Sequence, residues 1–226
     1  MKKLLFVSIS ACLLAVSCSK SDDPTPTPSA EKYMSITAGN TWNYQYTDNI
    51  TPANSGSYTV TSTNQDSTAA GKIYHVFTNT SGPNDYYNIT GSSYYTMQAF
   101  SLGTTDTTLE NLYLKDDVAA GISWNQSYTI KVGGVDVAVN VVNKIEDKGI
   151  SKTVGTTNYT NVIHVTSTIS SPTISLVGGT LTTNIHYYYA PKFGMIQNDS
   201  KIDLVVLALT LNEHTDSRTT LTSVNF

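Results

Sequence analysis

Charge is scarce in this sequence. Asp, Glu, Lys and Arg make up only 13% of its 226 residues, about half the usual share. Thirteen basic residues stand against 17 acidic ones, so there is no basic footprint for nucleic acid. Ala, Leu, Glu and Lys are too few for a helical bundle, and no segment carries a convincing helical stripe. Cysteine is nearly absent, with Cys12 and Cys18 the two examples. No apolar run reaches the ~20 residues that a spanning helix needs. There is no Gly-x-Ser-x-Gly elbow and no phosphate loop. The four histidines, His75, His164, His186 and His214, show neither His-x-x-x-His nor Glu-x-x-His spacing. What the chain does have is 15 Tyr, 2 Trp, 5 Phe and 34 Thr. That is too aromatic for disorder, and it favours β-structure.

The N-terminus reads as an address. Lys2 and Lys3 precede an apolar stretch from Leu4 to Val16, the layout of a secretory signal. Ala15-Val16-Ser17-Cys18 resembles a bacterial lipobox, with Leu14 one place upstream of the commonest position. Residues 1–17 are therefore expected to be a lipoprotein signal peptide and Cys18 the lipidated first residue, anchored by its acyl chains. Removing Lys2 and Lys3 leaves 11 basic against 17 acidic residues, a balance near −6. The folded body is then free of thiols. Residues 18–32 read as an acylated Pro/Thr tether. Its Ser19-Lys20-Ser21-Asp22-Asp23 resembles the surface-export signal of Bacteroidetes lipoproteins or is a plain solvated spacer. The expected location is the outer membrane, on the cell surface or the periplasmic face.

From Tyr33 onward the pattern alternates with period two. Trp42, Tyr44 and Tyr46 share one strand face, as do Val135, Val137 and Val139, and Ile185, Tyr187 and Tyr189. Turn clusters such as Ser81-Gly82-Pro83-Asn84-Asp85, Gly133-Gly134 and Gly178-Gly179 punctuate the runs. Residues 33–226 are expected to form one all-β domain: a curved antiparallel sheet, half-open barrel or sandwich. A self-comparison aligns Gly39-Asn40-Thr41-Trp42-Asn43-Tyr44 with Gly121-Ile122-Ser123-Trp124-Asn125-Gln126, and Ile73-Tyr74-His75-Val76 with Val162-Ile163-His164-Val165. This suggests two similar halves, about 36–115 and 118–226. The segment 202–211 is apolar on both faces, so as a strand it needs cover from protein or from a ligand.

Gly39-x-Thr41-Trp42 and Tyr187-Tyr188-Tyr189-Ala190-Pro191-x-Phe193-Gly194-Met195-Ile196 resemble the patterns of a group of uncharacterised Bacteroidetes lipoproteins. Phe193 stands where a small β-branched residue is more usual. The Tyr-Tyr-Ala-Pro-x-x-Gly-Met-Ile stretch implies a late hairpin. The family pattern is similar to half-open β-barrels of the lipoprotein-carrier type, which hold acyl chains in a concave sheet. No catalytic residues come with the resemblance.

The body's acidic groups sit at turn signals, with Glu146-Asp147-Lys148-Gly149 read as a turn and Glu213 and Asp216 as hairpin flanks. His75 and His164 occupy matching places and either meet across the repeat or face solvent separately; no metal site or cofactor is assigned. Tyr86, Tyr87, Tyr94, Tyr95, Tyr187, Tyr188 and Tyr189 are the candidate ligand-contact residues. They either stack on sugars beside Asn, Gln and Thr or pair across strands. The expectation is a non-enzymatic binding or structural module that binds a polysaccharide or the envelope. The alternative is a carrier of an acyl chain or other apolar ligand. The expected partners are the membrane, reached through Cys18, and a polysaccharide or apolar ligand; nucleic acid is excluded.

Overall fold

The computed structural model describes residues 31–102, 105–132, 135–207 and 211–226. The expected signal peptide, Cys18, most of the expected tether and Gly133-Gly134 lie outside the described residues. The body is a twelve-stranded antiparallel sheet curled into a nearly closed barrel. Its strands are β1 (Thr41–Asp48), β2 (Gly56–Ala69), β3 (Lys72–Asn79), β4 (Asp85–Thr90), β5 (Ser93–Leu102), β6 (Thr105–Lys115), β7 (Ser123–Val132), β8 (Val135–Val154), β9 (Thr157–Ser170), β10 (Thr180–Ala190), β11 (Gly194–Val206) and β12 (Leu211–Asn225). Around the sheet the order is β6-β5-β4-β3-β2-β1-β12-β11-β10-β9-β8-β7. Neighbours in sequence are thus neighbours in space, and the β1–β12 ladder joins the first strand to the last.

Local chemistry accounts for the hairpins. Ala70 and Gly71 turn β2 into β3 with φ of 50° and 75°, the left-handed pair that tight hairpins use. Pro191 to Phe193 separate β10 from β11, which is where the Ala-Pro-x-x-Gly pattern places a hairpin. Gly39 and Gly121 take φ of 90° and 87°, each three residues before a buried tryptophan, Trp42 or Trp124.

Three assignments from sequence are corrected. Glu146-Asp147-Lys148-Gly149 is not a turn but the middle of β8. Gly149 has φ of 77°, and the register with β9 shifts at Ile145/Asp147 and Lys148/Ile150, so bulges mimic a turn signal. Glu213 and Asp216 lie within β12, where Asp216 faces Lys201 at 3.9 Å. Segment 202–211 is not one strand covered on both sides. It comprises the end of β11 and the start of β12, with residues 208–210 outside the described set. Leu204 and Val206 are covered by protein: Ile130, Val137, Val139 and Ile174. Ile174 belongs to the short helix α1 (Pro172–Leu176), whose N-cap Ser171 accepts from the Ile174 amide.

The edges β6 and β7 meet without a backbone ladder. Side chains on alternate residues of β7 make the join instead. Trp124 Nε1 donates to the Leu112 carbonyl at 2.7 Å. Gln126 Oε1 accepts from the Leu112 amide at 3.1 Å. Tyr128 donates to the Glu110 carbonyl at 2.7 Å. Asn143 of β8, 3% exposed, also donates to the Leu112 carbonyl at 3.2 Å. A sheet edge hidden from water must have its amides and carbonyls bonded, and here polar side chains do what a strand would.

Gln126→Ala is expected to cost about 1 kcal/mol by removing the acceptor of the Leu112 amide, lowering the melting temperature by ~2–4 °C. Amide exchange at Leu112 rises while exchange in the β1–β12 ladder keeps its pattern. Unchanged exchange at Leu112 would show that the seam does not depend on this side chain.

Candidate ligand chambers inside the barrel

Two adjoining cavities occupy the barrel. The first, about 190 Å³, is lined by residues of β1 to β6, β10 and β11, by Phe193 of the β10–β11 turn, and by Met34 from the segment that precedes the barrel. Six tyrosines contribute to its walls: Tyr44, Tyr58, Tyr87, Tyr113, Tyr187 and Tyr189. The second, about 160 Å³, is lined by Leu109, Ile130, Val139, Val141, Ile169, Ile185 and Ile202, with Tyr128, Ser167 and Ser200 as polar exceptions. Asn111 and Tyr187 belong to both. A cavity of about 150 Å³ with aliphatic walls accepts a benzene-sized guest.

The tyrosines fall into two groups of ring contacts. Tyr44 stacks on Tyr58 at 5.2 Å. Tyr113 touches Tyr87 at 6.1 Å and Tyr189 at 5.5 Å, and Tyr189 stacks on Tyr187 at 6.1 Å. Tyr44 donates to the Met195 carbonyl at 3.0 Å, and Tyr113 reaches Met34 Sδ at 3.5 Å. Burial, ahead of all electrostatic causes, holds the Tyr44, Tyr87 and Tyr189 hydroxyls well above the ordinary phenol value and Tyr58 up at about 12. These phenols are neutral donors at any physiological pH.

Asp85 opens β4 and lines the tyrosine chamber. Apart from the phenols it is the one ionisable group among the described residues of either lining. Asn79 Nδ2 donates to its Oδ2 at 3.1 Å, and among the described residues it has no cationic partner within ion-pair distance. Burial raises its pKa, against the opposing hydrogen bond from Asn79. In sequence Asp85 looked like the last residue of a turn cluster. Its carboxyl is instead half-buried beside Tyr44, Tyr58 and Tyr87, whose own titrations its charge opposes.

The seven tyrosines proposed from sequence are not brought together. Tyr87, Tyr187 and Tyr189 line the first chamber. Tyr94 is fully buried, donates to Asp116 and accepts from the Tyr33 amide at 3.1 Å, so no sugar can stack on it. Tyr95 lies under Lys72 Nζ at 3.5 Å. Tyr188 lies under Lys152 Nζ at 3.8 Å and stacks on His164 at 4.4 Å. Tyr86 lies on β4 next to Tyr87 and is half-buried. Tyr44, Tyr58 and Tyr113, which the sequence reading did not select, complete the chamber wall. The alternation Trp42, Tyr44, Tyr46 was the available signal for Tyr44.

His75 and His164 do not meet each other. His75 Nδ1 pairs with Asp66 across β2 and β3 at 2.9 Å. His164 Nδ1 pairs with Asp147 across β8 and β9 at 2.9 Å. The Nε2 of His164 meets His186 Nδ1 at 2.9 Å. Burial first, then the neighbouring His164, lowers the pKa of His186.

The raised Asp85 pKa has a sign for stability. The folded carboxyl holds its proton to higher pH than the unfolded one, so ionisation penalises the fold. The penalty is complete above the raised folded pKa and disappears below the ordinary carboxylate value of 3.8. Asp85→Asn is therefore expected to melt above the wild type at neutral pH, with the advantage shrinking as pH falls toward that value. An Asp85→Asn protein that melts lower at neutral pH would contradict this.

No family model matches the chain, and no curated protein matches it. Among solved structures it is similar to a chain described as a "putative lipoprotein from Parabacteroides distasonis", with 12% identity and a TM-score of 0.48, covering 87% of this chain and 100% of that one. It is also similar to a "putative exported protein with YmcC-like fold" from Bacteroides fragilis, with 8% identity and a TM-score of 0.41, covering 88% of this chain and 100% of that one.

Proposed function

We propose that this chain is an exported, lipid-anchored, non-enzymatic binding protein whose barrel interior holds a small ligand with an apolar part. The observation that carries the reading is the pair of adjoining chambers, one tyrosine-walled and one aliphatic, sharing Asn111 and Tyr187. Concave, largely apolar cavities with a few convergent polar groups are the usual form of small-molecule sites. Cys18 would hold the domain at the outer membrane, and the Pro/Thr tether would set it away from the lipid surface. The partner at that surface is the bilayer itself.

A surface glycan platform has less support. Ring faces of Tyr95 and Tyr188 already carry Lys72 and Lys152. Tyr87, Tyr187 and Tyr189 are turned to the interior.

The test is binding of a short apolar fluorophore to the full chain, with and without Val141→Phe, which fills the aliphatic chamber. Saturable binding lost in the variant, with the melting temperature within a few degrees of wild type, is expected. Equal binding by both proteins would place the ligand elsewhere and contradict the reading.

A further inference from the structure

The polarity of the tyrosine chamber narrows the ligand class, and the argument rests on the interior being a ligand chamber. Across both linings the charge is of one sign. Asp85 contributes a carboxylate, and among the described residues no Lys, Arg or His lines either cavity. A half-buried carboxylate without a cation beside it is costly to keep, and groups of this kind concentrate at functional sites. A purely structural role would be to brace the β3–β4 turn through Asn79. That bond uses one carboxylate oxygen and needs no charge, since Asn in place of Asp85 could accept it equally well.

The surroundings of Asp85 match one chemistry. Tyr44, Tyr58 and Tyr87 stand close enough for its charge to oppose their ionisation, and none of their hydroxyls donates to it among the described residues. Aromatic faces around a carboxylate attract organic cations through the ring quadrupoles and the charge together. The same chamber repels anions that carry no cationic group of their own, since they would bring a second negative charge with no counter-ion. Beyond Tyr187 the cavity becomes aliphatic, as an alkyl tail requires.

We infer that the tyrosine chamber is a cation cage: it takes the ammonium group of an alkylammonium ligand, with Asp85 as its counter-charge and the aliphatic chamber receiving the tail.

The full chain is titrated near neutral pH with hexyltrimethylammonium, hexanoate and hexanol, followed by tryptophan fluorescence, because Trp42 lines the cage. The cation is expected to bind at least about tenfold more tightly than hexanoate, a difference of 1.4 kcal/mol. Asp85→Asn removes that preference. A fourth probe, dihexanoyl phosphatidylcholine, separates a free ammonium from a lipid headgroup: either one binding above hexanoate supports the cage and names its source. Hexanoate binding as tightly as the cation, or an Asp85→Asn protein with the same preference, overturns the cage while leaving the chamber reading intact. No saturable binding by any probe overturns both.

Discussion

Twelve strands are joined by eleven backbone ladders, and a closed barrel needs a twelfth. The missing one lies between β6 and β7, and everything inside the barrel depends on how that gap is sealed. Trp124, Gln126 and Tyr128 repeat every second residue on β7 and reach the amide and carbonyls of Glu110 and Leu112. The bonds satisfy a sheet edge that would otherwise be open to a neighbouring strand. Because side chains span the gap, the two edges close on one another without exchanging backbone bonds.

The interior so enclosed is not filled. Small barrels usually pack their interior with side chains, and larger ones enclose a cavity. Here the aliphatic residues of β7 to β11 pack around α1 at Leu204 and Val206 but leave a chamber at Val141, Ile169 and Ile202. The aromatic residues of β1 to β6 pack around Trp42 and Phe77 but leave the tyrosine chamber. Met34 forms part of the chamber wall, so the segment that follows the tether contributes directly to the site. Lys32 Nζ reaches the Gly91 carbonyl at 2.6 Å, and Tyr33 donates to the Asn161 carbonyl at 2.7 Å. These bonds tie Lys32 and Tyr33 to the β4–β5 turn and to β9.

The all-β class, the hairpin at Pro191–Phe193 and the burial of Trp42 and Trp124 were legible because each follows from alternation, turn chemistry or aromatic size at a single stretch of chain. Closure was not legible. Nothing in the residues of β6 and β7 taken separately says that Gln126 will bond to Leu112 rather than to water. The turn reading of Glu146 to Gly149 failed because a bulged strand and a turn use the same glycine. Asp85 was overlooked for a related reason: after Ser81-Gly82-Pro83-Asn84 an aspartate reads as turn chemistry, and only the curl of the sheet places it among tyrosines from other strands. The tyrosine candidates divided as alternation requires, Tyr187 and Tyr189 to the chamber and Tyr188 to His164 on the other face.

The central claim is that ligand enters the interior rather than lying on the surface. Chemical-shift mapping on adding hexyltrimethylammonium tests it most directly. The account predicts that amides of Val60, Tyr87 and Tyr189 around the cage, and of Val141 and Ile185 around the aliphatic chamber, shift together along one saturation curve. Shifts confined to Tyr86, Tyr95 and Tyr188, with the chamber residues silent, would contradict it.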